Sequence, residues 1–194
     1  MRICRGWVSA ITVLFSMATG SIALGQADHV RWDIVSLAFT TPPTVSAGGI
    51  AFASANATLT IKLTGSGTFV APASGGTSGA VTGGGTWETF TSGVSTGSGT
   101  YSVTSLSSWQ FANFQTPGAV NDLIGPGGAN GNAILRIEYS DGSEGVLGVG
   151  CHGPGAPAGI QEGVIATKDF VTYWTAHPPA PGVNANRTSF HVRQ

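Results

Sequence analysis

The sequence predicts an all-β protein: a single domain of antiparallel strands, running as a meander and closed into a barrel of about eight strands, with a two-sheet β-sandwich as the alternative. Three observations carry that expectation. Hydrophobic and polar residues alternate at period two over much of the chain. Glycine supplies 30 of 194 residues, about twice the usual share, yet it recurs beside β-branched and aromatic residues instead of in disordered runs. Finally, Ala133 to Cys151 reads as two strands around Asp141-Gly142, the strongest short-range hairpin signal a sequence offers.

The chain opens with MRICRGWVSAITVLFSMATGSIALGQA. Arg2 and Arg5 form a basic start, Trp7 to Ala18 is apolar but too short to span a bilayer, and small residues follow around Ala23 to Ala27. That is the pattern of a secretory signal over residues 1–27, leaving one all-β domain over 28–194. The expected location is secreted, extracellular or periplasmic. No later run approaches the ~20 apolar residues of a membrane span, so no membrane partner is expected after the signal is removed.

Without Arg2 and Arg5, six basic residues face nine acidic ones, a formal charge of −3. No basic run exists, which argues against nucleic acid as a partner. Cys4 departs with the signal, so Cys151 is left single. An odd cysteine in an exported protein predicts either an intermolecular disulfide through Cys151 or a small buried apolar residue.

Taking the chain in order, Val30, Trp32 and Ile34 alternate with Arg31 and Asp33 before the phase switches to Val35, Leu37 and Phe39. A switch of face inside one strand means a bulge or burial on both sides. Pro42-Pro43 ends this strand, and Ile50 to Ala55 forms a short one. Leu59, Ile61 and Leu63 then alternate with threonines and Lys62, continuing into Gly65-Ser66-Gly67-Thr68-Phe69. The cassette returns as Gly83-Gly84-Gly85-Thr86-Trp87 and as Gly97-Ser98-Gly99-Thr100-Tyr101. In a strand the glycines and the aromatic residue share one face, and the threonines take the other. A ring can cover the bare backbone of a neighbouring glycine, and inward glycines let a sheet curl towards closure. The third strand is expected to run on in phase through Val103 and Trp109 to Phe111. From Leu59 to Phe111 the pattern resembles, in general shape, secreted up-and-down barrels of the lipocalin, avidin and allene-oxide-cyclase-like folds; no diagnostic motif accompanies the likeness and no residue is transferred.

Ala112 to Asn132 reads as a 21-residue loop, pinned by Phe114, Leu123 and Ile124. Such loops in compact domains are usually lids or binding loops. The hairpin follows. With Asp141 and Gly142 central in a type I′ turn, Tyr139 faces Glu144, Ile137 faces Val146 and Leu135 faces Gly148. That register puts Val146, Gly148, Gly150 and His152 on the interior side. Glu162 to Thr167 is a strand, Lys168 to Ala176 the single helix candidate, capped by Asp169 with Phe170, Tyr173 and Trp174 on one side, and Arg187 to Val192 the last strand.

The motif matches are weak. Gly148 to Gly153 fits G-x-G-x-x-G, but Pro154 forbids the helix that would hold a pyrophosphate, and no cofactor is implied. Gly93 to Gly97 fits G-x-S-x-G between two strands, where a nucleophile elbow has no helix to stand on. His29, His152, His177 and His191 show no metal-ligand spacing, and no catalytic set emerges. Asn56 and Asn186 match glycosylation acceptors. The leading expectation is a barrel holding a small apolar or aromatic ligand, lined by Trp87, Tyr101, Trp109, Phe114 and, at its mouth, His152. The first alternative is a structural or surface-interaction protein whose aromatics merely fill the core. The second is a barrel enzyme using His152 with Glu162 or Tyr139.

Overall fold

A computed structural model of the chain describes residues 27–193. Apart from Ala27, the signal segment and Cys4 lie outside the described residues. The strands are β1 (Asp28–Ala38), β2 (Thr44–Ala47), β3 (Ala51–Ser54), β4 (Leu59–Leu63), β5 (Ser66–Ala71), β6 (Val81–Thr91), β7 (Val94–Phe114), β8 (Asn121–Asp122), β9 (Gly128–Tyr139), β10 (Glu144–Cys151), β11 (Gly163–Lys168), β12 (Val171–Tyr173), β13 (Thr175–Ala176) and β14 (Thr188–Arg193).

Six of them close into an antiparallel barrel in the order β1, β5, β6, β7, β9, β14 and back to β1. The closed ring is thus smaller than the expected eight strands. The others fold over the far half of the long central strands. β10, β11 and β12 extend from β9, and β4, β3 and β13 extend from β6. The two flaps meet where β11 packs on β3. One break makes this split possible. β4 and β5 lie along the same strand β6, but Thr64 and Gly65 part them, and just past the break Gly83, opposite Gly67, has φ +102°. Only glycine adopts that backbone readily, so β6 can change direction between its two partners.

Trp32, Phe69, Leu106 and Phe190 are buried inside the ring, with Trp109 edge-on to Phe69 and Phe190 at centroid distances of 5.4 and 4.7 Å. Under the flaps lie Ile61, Leu63, Trp87, Tyr101, Leu135, Tyr139, Leu147 and Val149, in the same continuous core. The cassette faces fall as expected: Phe69, Trp87 and Tyr101 are buried, and Thr68, Thr86 and Thr100 are exposed. The switch of phase in β1 is burial on both sides: Trp32, Asp33, Ile34 and Val35 are all buried, and from Val35 onward the strand pairs with β2.

β7 departs from the expected even phase. Three register shifts, between Val103 and Ser105, Leu106 and Ser108, and Phe111 and Asn113, replace it. Tyr101, Val103, Leu106 and Trp109 turn inward, while Phe111 is left exposed. Bulges bend a strand, and these let one 21-residue strand serve both halves of the fold.

The hairpin register is one residue from expectation. Leu135 pairs with Leu147 and Ile137 with Gly145. The loop is three residues, Ser140-Asp141-Gly142: Tyr139 N–H donates to Ser143 O and Gly142, at φ +85°, supplies the bulge. A one-residue slip exchanges the two faces. Leu147, Val149 and Cys151 therefore point into the core, and His152 is exposed, not interior.

No helix forms over 168–176. β11 turns through Asp169-Phe170 into β12, which pairs back with Lys168 opposite Val171. Asp169, at φ +54°, makes this a two-residue turn. Phe170 stands fully exposed at its tip while Tyr173 is buried, so the supposed helical face is divided between turn and core. Val171, Thr172 and Tyr173 are strand formers, and an aspartate before them serves a turn as readily as a cap.

Candidate functional site

The two loops at the hairpin's open end do come together. Thr116 N–H donates to Pro154 O, Asn113 Nδ2 to Gly155 O, and Gly153 N–H to Asn130 Oδ1. Beside this seam lies a pocket of about 320 Å³. Val35, Leu37, Pro43, Val45, Val120 and Pro154 make its apolar walls. Its polar lining is Glu162, His152, Ser189 and Gln115 together with Asp122 and Arg187. Apolar walls with a few placed polar groups are the usual composition of a small-molecule site.

β1 contributes Val35 from its outward side, β2 contributes Val45 by pairing with it, and the start of β14 brings Ser189. Glu162, immediately before β11, ties the walls together. Its Oε1 accepts from Thr188 N–H at 2.6 Å and Thr188 Oγ1 at 3.2 Å, and its Oε2 accepts from His152 N–H at 2.5 Å. Withdrawal from bulk water raises this carboxyl to about pKa 7, against hydrogen bonds that favour the anion. Near neutral pH the group is then poised to give or take a proton.

His152 lines the pocket, but its ring is engaged elsewhere. Nδ1 lies 2.7 Å from Ile160 O, so Nδ1–H donates to that carbonyl and Nε2 is the remaining acceptor. The carboxylate of Glu162 meets the backbone of His152, not its imidazole.

The other residues singled out by sequence lie apart from this pocket. Trp87 is buried, donates Nε1–H to Thr100 O at 3.1 Å, and packs edge-on to Tyr139. Tyr101 is buried with its hydroxyl donating to Thr64 O at 2.8 Å. Trp109 sits between Phe69 and Phe190, its Nε1 toward Asp28. Phe114 is exposed against Phe111. The Cys151 thiol is buried beneath Gln115, whose Nε2 donates to Sγ at 3.4 Å; burial pushes its pKa up. Asn56 is exposed, whereas Asn186 spends its Oδ1 on Phe52 N–H.

Lys168 is packed into the aromatic core with its Nζ 4.4 Å from the Trp87 ring centre and 4.9 Å from that of Tyr139. Asp141 at 2.5 Å, Ser143 Oγ at 3.0 Å and Asp169 at 3.2 Å accept from it. This arrangement ties the hairpin turn to the turn between β11 and β12.

Sequence reasoning had named His152 and Glu162 but not Val35, Val45, Val120 or Ser189. Their convergence depends on β1 pairing with β14 and β2, contacts that no local pattern reveals. No protein-family model matches the chain, and comparison with curated proteins and with solved structures likewise finds no match.

Proposed function

We propose that this is an exported β-barrel protein that binds a small, mainly apolar molecule bearing one hydrogen-bonding group. The observation that carries the reading is the pocket between β1, β2 and the 115–127 connection, with hydrocarbon walls and Glu162 at its polar end. The leader-like first 27 residues support export. The ligand's apolar part lies against Val35, Val45 and Val120, and its polar group meets Ser189 and Glu162. The interior of the ring, filled by Trp32, Phe69, Leu106 and Phe190, is core. The pocket's volume is near the lower end of the ~300–1,000 Å³ common for such sites, which suits a compact ligand.

Native mass spectrometry of the protein isolated from its own host tests this directly. A discrete mass increment that disappears in Val120→Trp, which fills the pocket from the wall formed by the 115–127 connection, is the expected result. Protein that carries nothing, and that binds no member of a panel of small apolar alcohols, amides and acids, overturns it. A second reading, a surface-interaction protein, draws on Phe170 and Trp174, both exposed, one on each side of β12.

A further inference from the structure

A different concavity, of about 420 Å³, lies on the outer face of β14, β1 and β5, fenced by Ile124, Gly125 and Pro126. Its floor has an unusual construction. The tripeptide His-Val-Arg occurs twice, as His29-Val30-Arg31 in β1 and His191-Val192-Arg193 in β14. The two copies pair antiparallel, with His29 opposite Arg193, Val30 opposite Val192 and Arg31 opposite His191. The valines point into the barrel. All four basic side chains are left on one outer face, in two cross-strand pairs of basic residues.

Like-signed groups directly opposite one another weaken a sheet. The acids on this face are already engaged. Asp33, fully buried, accepts from Arg31 Nε and Nη2 at 2.8 Å each, which leaves Nη1 unspent. Asp122 accepts from His191 Nε2 at 2.8 Å. Asp28, on the same strand, turns the other way, toward Trp109. His29 and Arg193 have no acidic partner among the described residues.

A second observation points the same way. His191 is buried, and its Nδ1 has no hydrogen-bond partner among the described residues. Buried polar atoms are nearly always paired, and an orphan in a native fold calls for a missing water or ion. With Nε2 held by Asp122, Nδ1 becomes a second donor when the ring is protonated. Glu138 also faces Glu144 across β9 and β10, but both are exposed and no orphaned buried atom accompanies them.

We infer that this face is a binding site for a small oxyanion, held by Arg31, Arg193, His29 and His191. Guanidinium groups match tetrahedral and planar oxyanions through charge-assisted hydrogen bonds. The anion balances the His29–Arg193 pair, which has no acid of its own among the described residues, and lies beside Arg31 Nη1 and the unpartnered His191 Nδ1. The two concavities share the 115–127 connection, where Asp122 lines the apolar pocket and holds His191, but none of the four basic groups belongs to that pocket.

The test is a titration with inorganic phosphate, and separately with sulfate, at constant ionic strength against chloride. Backbone and imidazole nitrogen signals are followed by NMR. Saturable shifts confined to residues 29–31, 124–127 and 191–193 are expected with at least one of the two anions. Arg193→Gln and His29→Gln, both at exposed positions, should each weaken binding roughly tenfold or more, the scale of one charge-assisted hydrogen bond. Arg31 is left intact, since its loss would strand the buried Asp33. Shifts no larger than with chloride, or binding unchanged in both variants, overturn the inference. If one variant does not fold, the other decides. A saturable titration in protein that carries no small apolar ligand leaves this site standing while the apolar pocket fails, so the two outcomes are distinguishable.

Discussion

Trp87 lies directly across from Gly99 in the β6–β7 ladder, and its indole covers the glycine so closely that a Cβ there would stand 3.0 Å from Nε1. The same added atom would overlap Ser140 Oγ, which accepts from Thr100 N–H. The relation recurs with Trp109 over Gly131 and Tyr139 over Gly145. Glycine in these strands is therefore the floor on which a ring is laid, and the sheet curls because one side of each contact has no side chain.

Gly99→Val should consequently cost about 1–3 kcal/mol by overpacking. Gly85→Val belongs with it, as its Cβ would overlap the Thr64 carbonyl oxygen. Thr86→Ser, exposed and keeping a hydroxyl for Thr64 Oγ1, should cost well under 1 kcal/mol. Urea unfolding of the three variants checks the ranking, and equal tolerance at 85 and 86 would contradict the assigned faces.

Gly142→Val isolates backbone strain from packing, because a Cβ at Gly142 meets open space. The bulge needs φ near +85°, which a β-branched residue resists. A loss of about 1–3 kcal/mol is expected. A melting temperature within a degree of wild type would show that the loop has another conformation.

Acid should act through Asp141. The Lys168 ammonium holds this carboxyl down at about pKa 2, assisted by Ser143. A depressed acid stabilises the fold above the ordinary carboxylate range, and that share is lost as pH falls through its folded value. The stability gap between wild type and Asp141→Asn should accordingly be present at pH 6 and close between about pH 4 and pH 2. A gap constant over that interval would remove the ion pair from the account.

Glu162 should act with the opposite sign. Its pKa is raised from 4.5 to about 7 by desolvation, so the folded state holds a proton that the unfolded state releases. Its contribution is complete below the unfolded value and declines as pH rises to the folded one, by on the order of 1–2 kcal/mol. Denaturant midpoints of wild type and Glu162→Gln, compared across pH 4.5 to 7, measure it. Parallel curves would mean that the carboxyl is ionised throughout.

What was legible from sequence, and what was not, divides along local against distant causes. The cassette faces followed from alternation, because each strand's periodicity is its own. The hairpin was recognised but slipped by one residue. Asp-Gly suits both a two-residue loop and a three-residue loop with a glycine bulge. Ser143, which donates N–H and Oγ–H to Asp141 Oδ1, and Lys168, reaching over from β11, favour the longer form. That slip alone moved His152 from the interior to the surface. The supposed helix failed for a similar reason: Asp169 and the following β-branched residues found a partner in β11. The pairing of the two His-Val-Arg segments lies beyond any local pattern, being set by contacts between strands at opposite ends of the described chain.

That closure of β1 on β14 carries a consequence for how the protein is made. Translation delivers β1 first and β14 last, and until Arg193 has emerged the barrel lacks a wall. The nascent chain thus carries Trp32 and Phe69 on an unclosed sheet with β1's edge bare. Pairing of strands so far apart in sequence is slow, and exposed strand edges invite association with other chains. Of the six barrel strands β14 is made last, so its arrival is what ends the exposure of that edge.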